Sequence, residues 1–518
     1  MMTARPPDSM PDTLPPEAMQ RTESIFRPAL LLMSGRTLAF ASTFFIPVVL
    51  ARVFDPAQFG TYKQLFLIFS TIYLVAQAGM AASLYYFLPH APRNAGPYIA
   101  NSLYFLGAAG LIGFGALLIL KPKLAHWLSN PELSRYIFWI ALYFFLMMVS
   151  AALEIVLISR GRYGWASTSY ALSDFARAAA SILPILLFRQ LDGLLKGLVM
   201  VAFLRAVIAV SYFYKEFPDT LHFDRTLFKR QLAYALPFGL AVLVEILQGS
   251  LPQYVVAYLS SPATFAIFAV GCLSIPLVDF AASPTSDVMM VRMQENLAAG
   301  RNRAVLEIWH DTTWKLALLF FPLVAWVVID ARQIILLLFT AKYAASIPIL
   351  MVWSLTILLA TFQVDGVLRV FAQTRLLLLL NLMRLVIIAG LVQWSLSKFS
   401  LIGPACVIVL ATIAFKAAAL ARMKRLLQVR ADELLPWRSL AALLGASAAA
   451  AAVALAVKSQ LSTPAFPLLL ATSTAHVITY MLLVWHFDLL SPGERLAIAN
   501  WLRRTRGSVG RAVDYRKG

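Results

Sequence analysis

The sequence predicts an all-α polytopic membrane protein of about fourteen transmembrane helices, each about 20 apolar residues long. Of its 518 residues, 60% are hydrophobic and only 13% charged, whereas soluble domains carry about 25% charged residues. Apolar runs long enough to cross a hydrocarbon core of about 30 Å recur from residue 28 to residue 485. They are continuous, without the alternation of apolar and polar residues that marks an outer-membrane barrel, so the spanning element is the helix. This composition excludes a water-soluble enzyme.

The first 27 residues are polar and proline-rich, with no apolar core ahead of a cleavage site, and read as a disordered cytoplasmic tail. Spans follow near 28–51, 64–88, 97–120, 136–159, 164–188, 192–214, 232–258, 264–291, 312–330, 345–371, 374–396, 400–420, 437–457 and 464–485. Asp330 and Arg332 divide the ninth run from residues 333–339, which read either as its continuation or as a short re-entrant piece. The spans group as an N-lobe at 28–214, a basic cytoplasmic linker at 215–231, a C-lobe at 232–422 and two further helices at 423–485. In the tail at 486–518, Ser491-Pro492-Gly493-Glu494 is a capping box ahead of Leu496, Ile498, Trp501 and Leu502, set among arginines. It predicts a basic amphipathic cytoplasmic helix lying on the inner leaflet.

The 44 Lys and Arg against 25 Asp and Glu give a net charge of +19. In a membrane protein this excess is topological and implies no nucleic-acid partner: with the amino terminus inside, the inside connections hold roughly 26 basic residues and the outside ones roughly 11. Both termini are therefore expected in the cytoplasm, on a chain placed in the cell inner membrane. Cys272 and Cys406 lie in apolar runs and are too few for a disulfide framework. There is no D-x-D, H-E-x-x-H or G-K-[ST] motif, and no histidine pair has metal-ligand spacing, so no catalytic residue, metal or cofactor is expected.

Residues 48–62 and 255–268 resemble each other. Pro56, Ala57, Phe59 and Tyr62 match Pro262, Ala263, Phe265 and Phe268 at one constant offset, each set after the first helix of its half. An even number of helices separates the copies, so the duplication implies two parallel repeats. Three further stretches carry a likeness to a known family: Leu50 to Tyr62, with Gly60 shortly before an aromatic; Phe223-Asp224-Arg225 followed by Leu232 to Pro237; and Leu338-Phe339-Thr340-Ala341-Lys342-Tyr343. In order and spacing they resemble the multidrug/oligosaccharidyl-lipid/polysaccharide exporter superfamily, in particular its polysaccharide flippase branch. That resemblance implies two six-helix bundles forming a V-shaped central cavity, plus two C-terminal helices.

Ionisable residues inside membrane helices are costly and are expected to face a cavity or a partner. Arg36, Asp174, Arg177, Arg205, Glu245, Asp279, Asp287, Asp365, Arg369 and Arg384 all fall within predicted spans. Helical spacing places Ser167, Tyr170, Asp174, Arg177 and Ser181 on one face of the fifth helix, Asp279, Ser283 and Asp287 on one face of the eighth, and Ser70, Tyr73 and Gln77 on one face of the second. Asp174 with Arg177 and Asp365 with Arg369 also have the spacing of self-neutralising ion pairs. Arg36, Arg205 and Arg384 have no acid within four positions, so each needs a partner from elsewhere, a protein carboxylate or a substrate anion.

Guanidinium groups suit pyrophosphate and acidic sugars. The flippase resemblance implies a polyprenyl-pyrophosphate-linked oligosaccharide moved between leaflets, with Arg36, Arg177, Arg205, Arg369, Arg384, Gln77 and Tyr170 as substrate contacts and a polysaccharide polymerase and chain-length regulator as partners beside membrane lipids. Glu245, Asp279, Asp287 and Asp174 are candidates for ion coupling. The first helix carries Arg36 and no acid, which departs from drug-exporting relatives. A drug or cation antiporter of the same fold, or an integral-membrane glycosyltransferase or polymerase, are the rival readings.

Overall fold

The computed structural model describes residues 44–90, 95–218 and 220–490. Arg36, the first 27 residues and the amphipathic segment that begins at Ser491 lie outside the described residues. Twelve described segments are long and apolar enough to cross a membrane, and a helix pair bent by 51° at Pro262–Gly271 and Pro276–Ala298 makes a thirteenth. With the shorter apolar helix Phe44–Val53, which continues the first expected span, they follow the order of spans read from the sequence.

The chain divides into two units, residues 1–246 and 247–518. The first contains α1 (Phe44–Val53), α2 (Pro56–Gln77), α3 (Met80–His90), α4 (Ala95–Trp127), α5 (Leu133–Ser150), α6 (Leu153–Ser159), α7 (Tyr163–Phe188), α8 (Leu191–Glu216) and most of α9 (Arg225–Leu259). Here α5 packs against α2, α4 and α8, while α7 lies on α8 and α6. Phe144 and Met148 of α5, Ile99 and Tyr98 of α4 and Phe213 of α8 fill the centre. Asp224 caps α9 by accepting from the amides of Thr226 and Leu227 at 2.8 and 2.9 Å, and Asn101 exchanges two hydrogen bonds with the Asp224 backbone.

The second unit contains α10 (Pro262–Gly271), α11 (Pro276–Ala298), α12 (Asn302–Leu338), α13 (Ile347–Ala360), α14 (Val364–Val370), α15 (Thr374–Phe399), α16 (Ile402–Leu427), α17 (Trp437–Gln460) and α18 (Ala465–His486). The ninth apolar run is one continuous helix: Asp330 does not break α12, because it is fully buried and Thr472 of α18 donates to both of its oxygens at 3.0 and 2.9 Å. Lys458 of α17 lies 3.8 Å away and donates to Gln333 at 2.9 Å. Pro322 in α12 has no N–H, which frees the carbonyl of Leu318 four residues earlier. Tyr480 of α18 donates to that carbonyl at 2.8 Å. His476 of α18 contacts the Pro322 carbonyl at 3.1 Å. The last two helices are thus fastened to α12 through the polar groups that its proline and its buried acid require.

The internal repeat has a local structural counterpart. Asp55 is the N-cap of α2, accepting from Gln58 N at 2.8 Å with Pro56 opening the helix, and Ser261 is the N-cap of α10, accepting from Thr264 N at 3.3 Å with Pro262 opening it. Phe59 and Phe265 are both buried, as are Tyr62 and Phe268. Pro is suited to the first helical position, where its missing N–H has no intrahelical partner in any case.

Candidate functional site

The described residues of the first unit hold a cluster of four ionisable side chains among its helices. Glu154 enters from α6, a helix of about two turns rich in Leu, Ile and Val, and is 3% exposed. Arg205 of α8 donates to Glu154 at 2.8 Å and, through Nε, to Ser150 Oγ at 3.2 Å. Ser169 of α7 donates to the other Glu154 oxygen at 2.9 Å. On the same helix Arg177 donates to Asp174 at 2.6 Å. A small cavity of about 50 Å³ is lined by Tyr143, Ser173, Asp174, Arg177 and Arg205, so both guanidiniums reach the same space.

A carboxylate and a guanidinium withdrawn from water keep their charges only where each satisfies the other. Glu154 and Arg205 meet that condition, Asp174 and Arg177 pair where they are partly exposed, and the formal charges of the four cancel: two arginines, one glutamate and one aspartate. The cluster can therefore present guanidinium N–H groups without a net local charge.

The sequence singled out Asp174, Arg177 and Arg205, and the structure brings them together; it also gives Arg205 the protein carboxylate it needs. That carboxylate, Glu154, was missed, although the same signal marks it: an acid inside the apolar run from Ala151 to Leu157. Tyr170 is half-buried on α7, and Gln77, at the end of α2, donates back to Tyr73 O at 3.3 Å. Glu245, Asp279 and Asp287 are exposed and form no salt bridge with a described residue. Arg369 is exposed at the end of α14 and makes no bridge with Asp365, whereas Arg384 is half-buried on α15. Lys416 of α16, also missed, donates to the Phe362 carbonyl at 2.5 Å, in the break between α13 and α14. Among the described residues no group of His, Cys, Asp and Glu is placed to hold a metal ion.

Spans of this number, with a charged cluster among them, define a multi-pass membrane protein. A family model described as "polysaccharide biosynthesis protein" matches residues 49–348, and the chain belongs to that family. It is similar in structure to the lipid II flippase MurJ in an inward closed conformation, with a TM-score of 0.68 and 13% identity over 88% of this chain and 100% of that one. An inward-facing multidrug resistance MATE transporter of the MOP superfamily follows at a TM-score of 0.59 and 13% identity, over 78% and 100% of the two chains. A MOP superfamily transporter from Pyrococcus furiosus, described as having a binding pocket of reversed polarity, gives a TM-score of 0.53 and 14% identity over 78% and 95%. No curated protein sequence matches the chain.

Proposed function

We propose that the chain carries a polyprenyl-pyrophosphate-linked oligosaccharide repeat unit across the cytoplasmic membrane for surface polysaccharide biosynthesis, by alternating access through a cationic central cavity. The observation that carries this reading is membership of a polysaccharide biosynthesis family by a chain whose fold is shared with a lipid II flippase. The chemistry is compatible: the lipid tail stays in the bilayer, and only the pyrophosphate and sugars need a polar path. Arg177 and Arg205 offer N–H donors within the first unit, and Arg36, Arg369, Arg384, Gln77 and Tyr170 are further proposed contacts. Glu245, Asp279, Asp287 and Asp174 are proposed for ion coupling, since an acid inside the membrane is a natural proton or sodium site. On this reading both termini are cytoplasmic, and a polymerase and a chain-length regulator act on the exported unit.

The test is transfer of a fluorescent polyprenyl-pyrophosphate oligosaccharide between leaflets of proteoliposomes containing the full chain. Transfer above protein-free vesicles is expected, and Arg36→Ala is expected to abolish it while leaving the protein inserted. Transport of a cationic dye with no transfer of the glycolipid would instead assign a drug antiporter.

A further inference from the structure

A groove of about 670 Å³ opens between α7 and α8 beside the balanced charge cluster, whose Ser169 and Arg205 form part of its lining. Its walls are apolar, with Leu157, Trp165, Leu172, Leu204 and Ile208 among them, and Trp165 is 71% exposed. From Trp165 to Ala176 it follows eleven residue steps of α7, about 16 Å at 1.5 Å per residue, which is half of a hydrocarbon core of about 30 Å. The groove is therefore as long as one leaflet is deep.

Its two ends differ. At the inner end Arg205 is neutralised by Glu154. At the outer end the turn Arg160-Gly161-Arg162, where Gly161 has φ +72°, brings two guanidiniums onto one carboxylate: Glu216 lies 3.1 Å from Arg160 and 2.8 Å from Arg162. One positive charge is left over. Both arginines are braced on rings, Arg160 over Phe217 at 5.2 Å and Arg162 over Tyr212 at 5.8 Å, so they are held rather than free to snorkel away. Tyr212 lines the groove beside them, and its hydroxyl is buried without a hydrogen-bond partner among the described residues. A buried donor with no acceptor calls for an explanation such as an absent ligand.

We propose that this groove is a binding site for an anionic phospholipid of the surrounding bilayer, with its phosphodiester on Arg160 and Arg162 and one acyl chain laid between α7 and α8. The surplus of one positive charge matches the single charge of a phosphodiester, whereas a pyrophosphate-linked lipid carries more. The leaflet-long groove matches an acyl chain. The basic residues counted on the inside in the sequence place the site in the inner leaflet, where anionic headgroups attract Lys and Arg. The headgroup end of the site, Arg160 and Arg162, uses none of the residues proposed for transport, although Arg205 lines the far end of the groove.

The test uses the delipidated full chain in detergent, titrated with phosphatidylglycerol or phosphatidylcholine and followed by native mass spectrometry. Phosphatidylglycerol is expected to bind more tightly, and the double variant Arg160→Gln/Arg162→Gln to lose about twenty-five-fold in its affinity at unchanged phosphatidylcholine binding, from about fivefold per arginine. Glu216→Gln removes the competing carboxylate and is expected to raise phosphatidylglycerol affinity about fivefold. A merely structural ion-pair cluster predicts no gain from Glu216→Gln, so unchanged or weaker binding in that variant overturns the proposal, as does a double variant that keeps its preference. Displacement of phosphatidylglycerol by an equal concentration of polyprenyl diphosphate also overturns it. If the double variant does not fold, Leu172→Trp fills the groove and leaves the arginines in place; loss of bound phosphatidylglycerol supports the site, and full retention refutes it.

Discussion

Replacing Arg205 by Met tests whether the buried cluster of the first unit is an interdependent ion pair. In the native protein Glu154 has two donors, Arg205 at 2.8 Å and Ser169 at 2.9 Å, and its side chain is only 4% exposed. The substitution keeps the volume of the stem but leaves a buried carboxylate with one hydroxyl donor. Breaking a buried pair from one side costs about 3–5 kcal/mol, whereas replacing both partners by groups of similar shape is near neutral. The double variant Glu154→Met/Arg205→Met is therefore expected to be more stable than Arg205→Met alone by about 2 kcal/mol or more. Ser150 and Ser169 then lose partners as well, but each is a hydroxyl that can turn to a backbone carbonyl of its own helix, at a cost of about 1 kcal/mol. The assay is equilibrium unfolding in mixed micelles for wild type, both single variants and the double variant. Additive effects of the two substitutions, or a cost below about 1 kcal/mol for Arg205→Met, would refute the reasoning.

Asp55→Ala and Ser261→Ala should each cost about 1 kcal/mol in the same unfolding assay, and Asp55→Asn much less, because the amide oxygen still caps the helix. Gly197→Leu should cost about 1–3 kcal/mol or more, since a side chain there meets the Ala180 carbonyl of α7; a neutral effect in unfolding would show that α7 and α8 can separate freely. Asp330→Ala should lower thermal stability well below Asp330→Asn, because the amide can still accept from Thr472. Tyr480→Phe orphans the Leu318 carbonyl and should cost about 1–2 kcal/mol, and Pro322→Ala, which restores an N–H to that carbonyl, should shrink the penalty when the two are measured as a cycle.

Hydropathy made the membrane spans legible because a helix in lipid must be apolar over its whole length, whatever it packs against. It is blind to backbone geometry inside a span. The interruption at Ala78 and Gly79, both at positive φ, lies within the second span, and the breaks at residues 272–275 and 361–363 lie within the eighth and tenth. Spacing within one helix found Asp174 and Arg177, three residues apart on α7. It has no access to Arg205 and Glu154, whose separation of 51 positions is closed only by the packing of both α6 and α8 on α7. At Asp365 and Arg369 the interval left a self-neutralising pair and cavity-facing groups both open, and in α14 Arg369 is exposed near the helix end and makes no bridge with Asp365. Whether the helix continues past Asp330 stayed open in the sequence because the residues that satisfy it, Thr472 and Lys458, lie more than 120 positions away.

On the proposed function, the balanced charge of the cluster is itself a transport property. An arginine carries five N–H donors, and Arg205 spends them partly on Glu154 and Ser150. A phosphate oxygen can take a remaining donor without first removing the carboxylate. Had the guanidinium been unpaired, it would bind a doubly charged headgroup with the full strength of a buried charge-assisted bond and hold it. A carrier needs binding that admits its cargo and then releases it, and on the proposed function Glu154, 2.8 Å from Arg205, would compete with the cargo for the guanidinium. Glu154→Gln keeps the hydrogen bond to Arg205 but removes the competing charge, so it is expected to tighten glycolipid binding while slowing its transfer between leaflets. If both fall together in the proteoliposome assay, the glutamate acts only as a prop for Arg205.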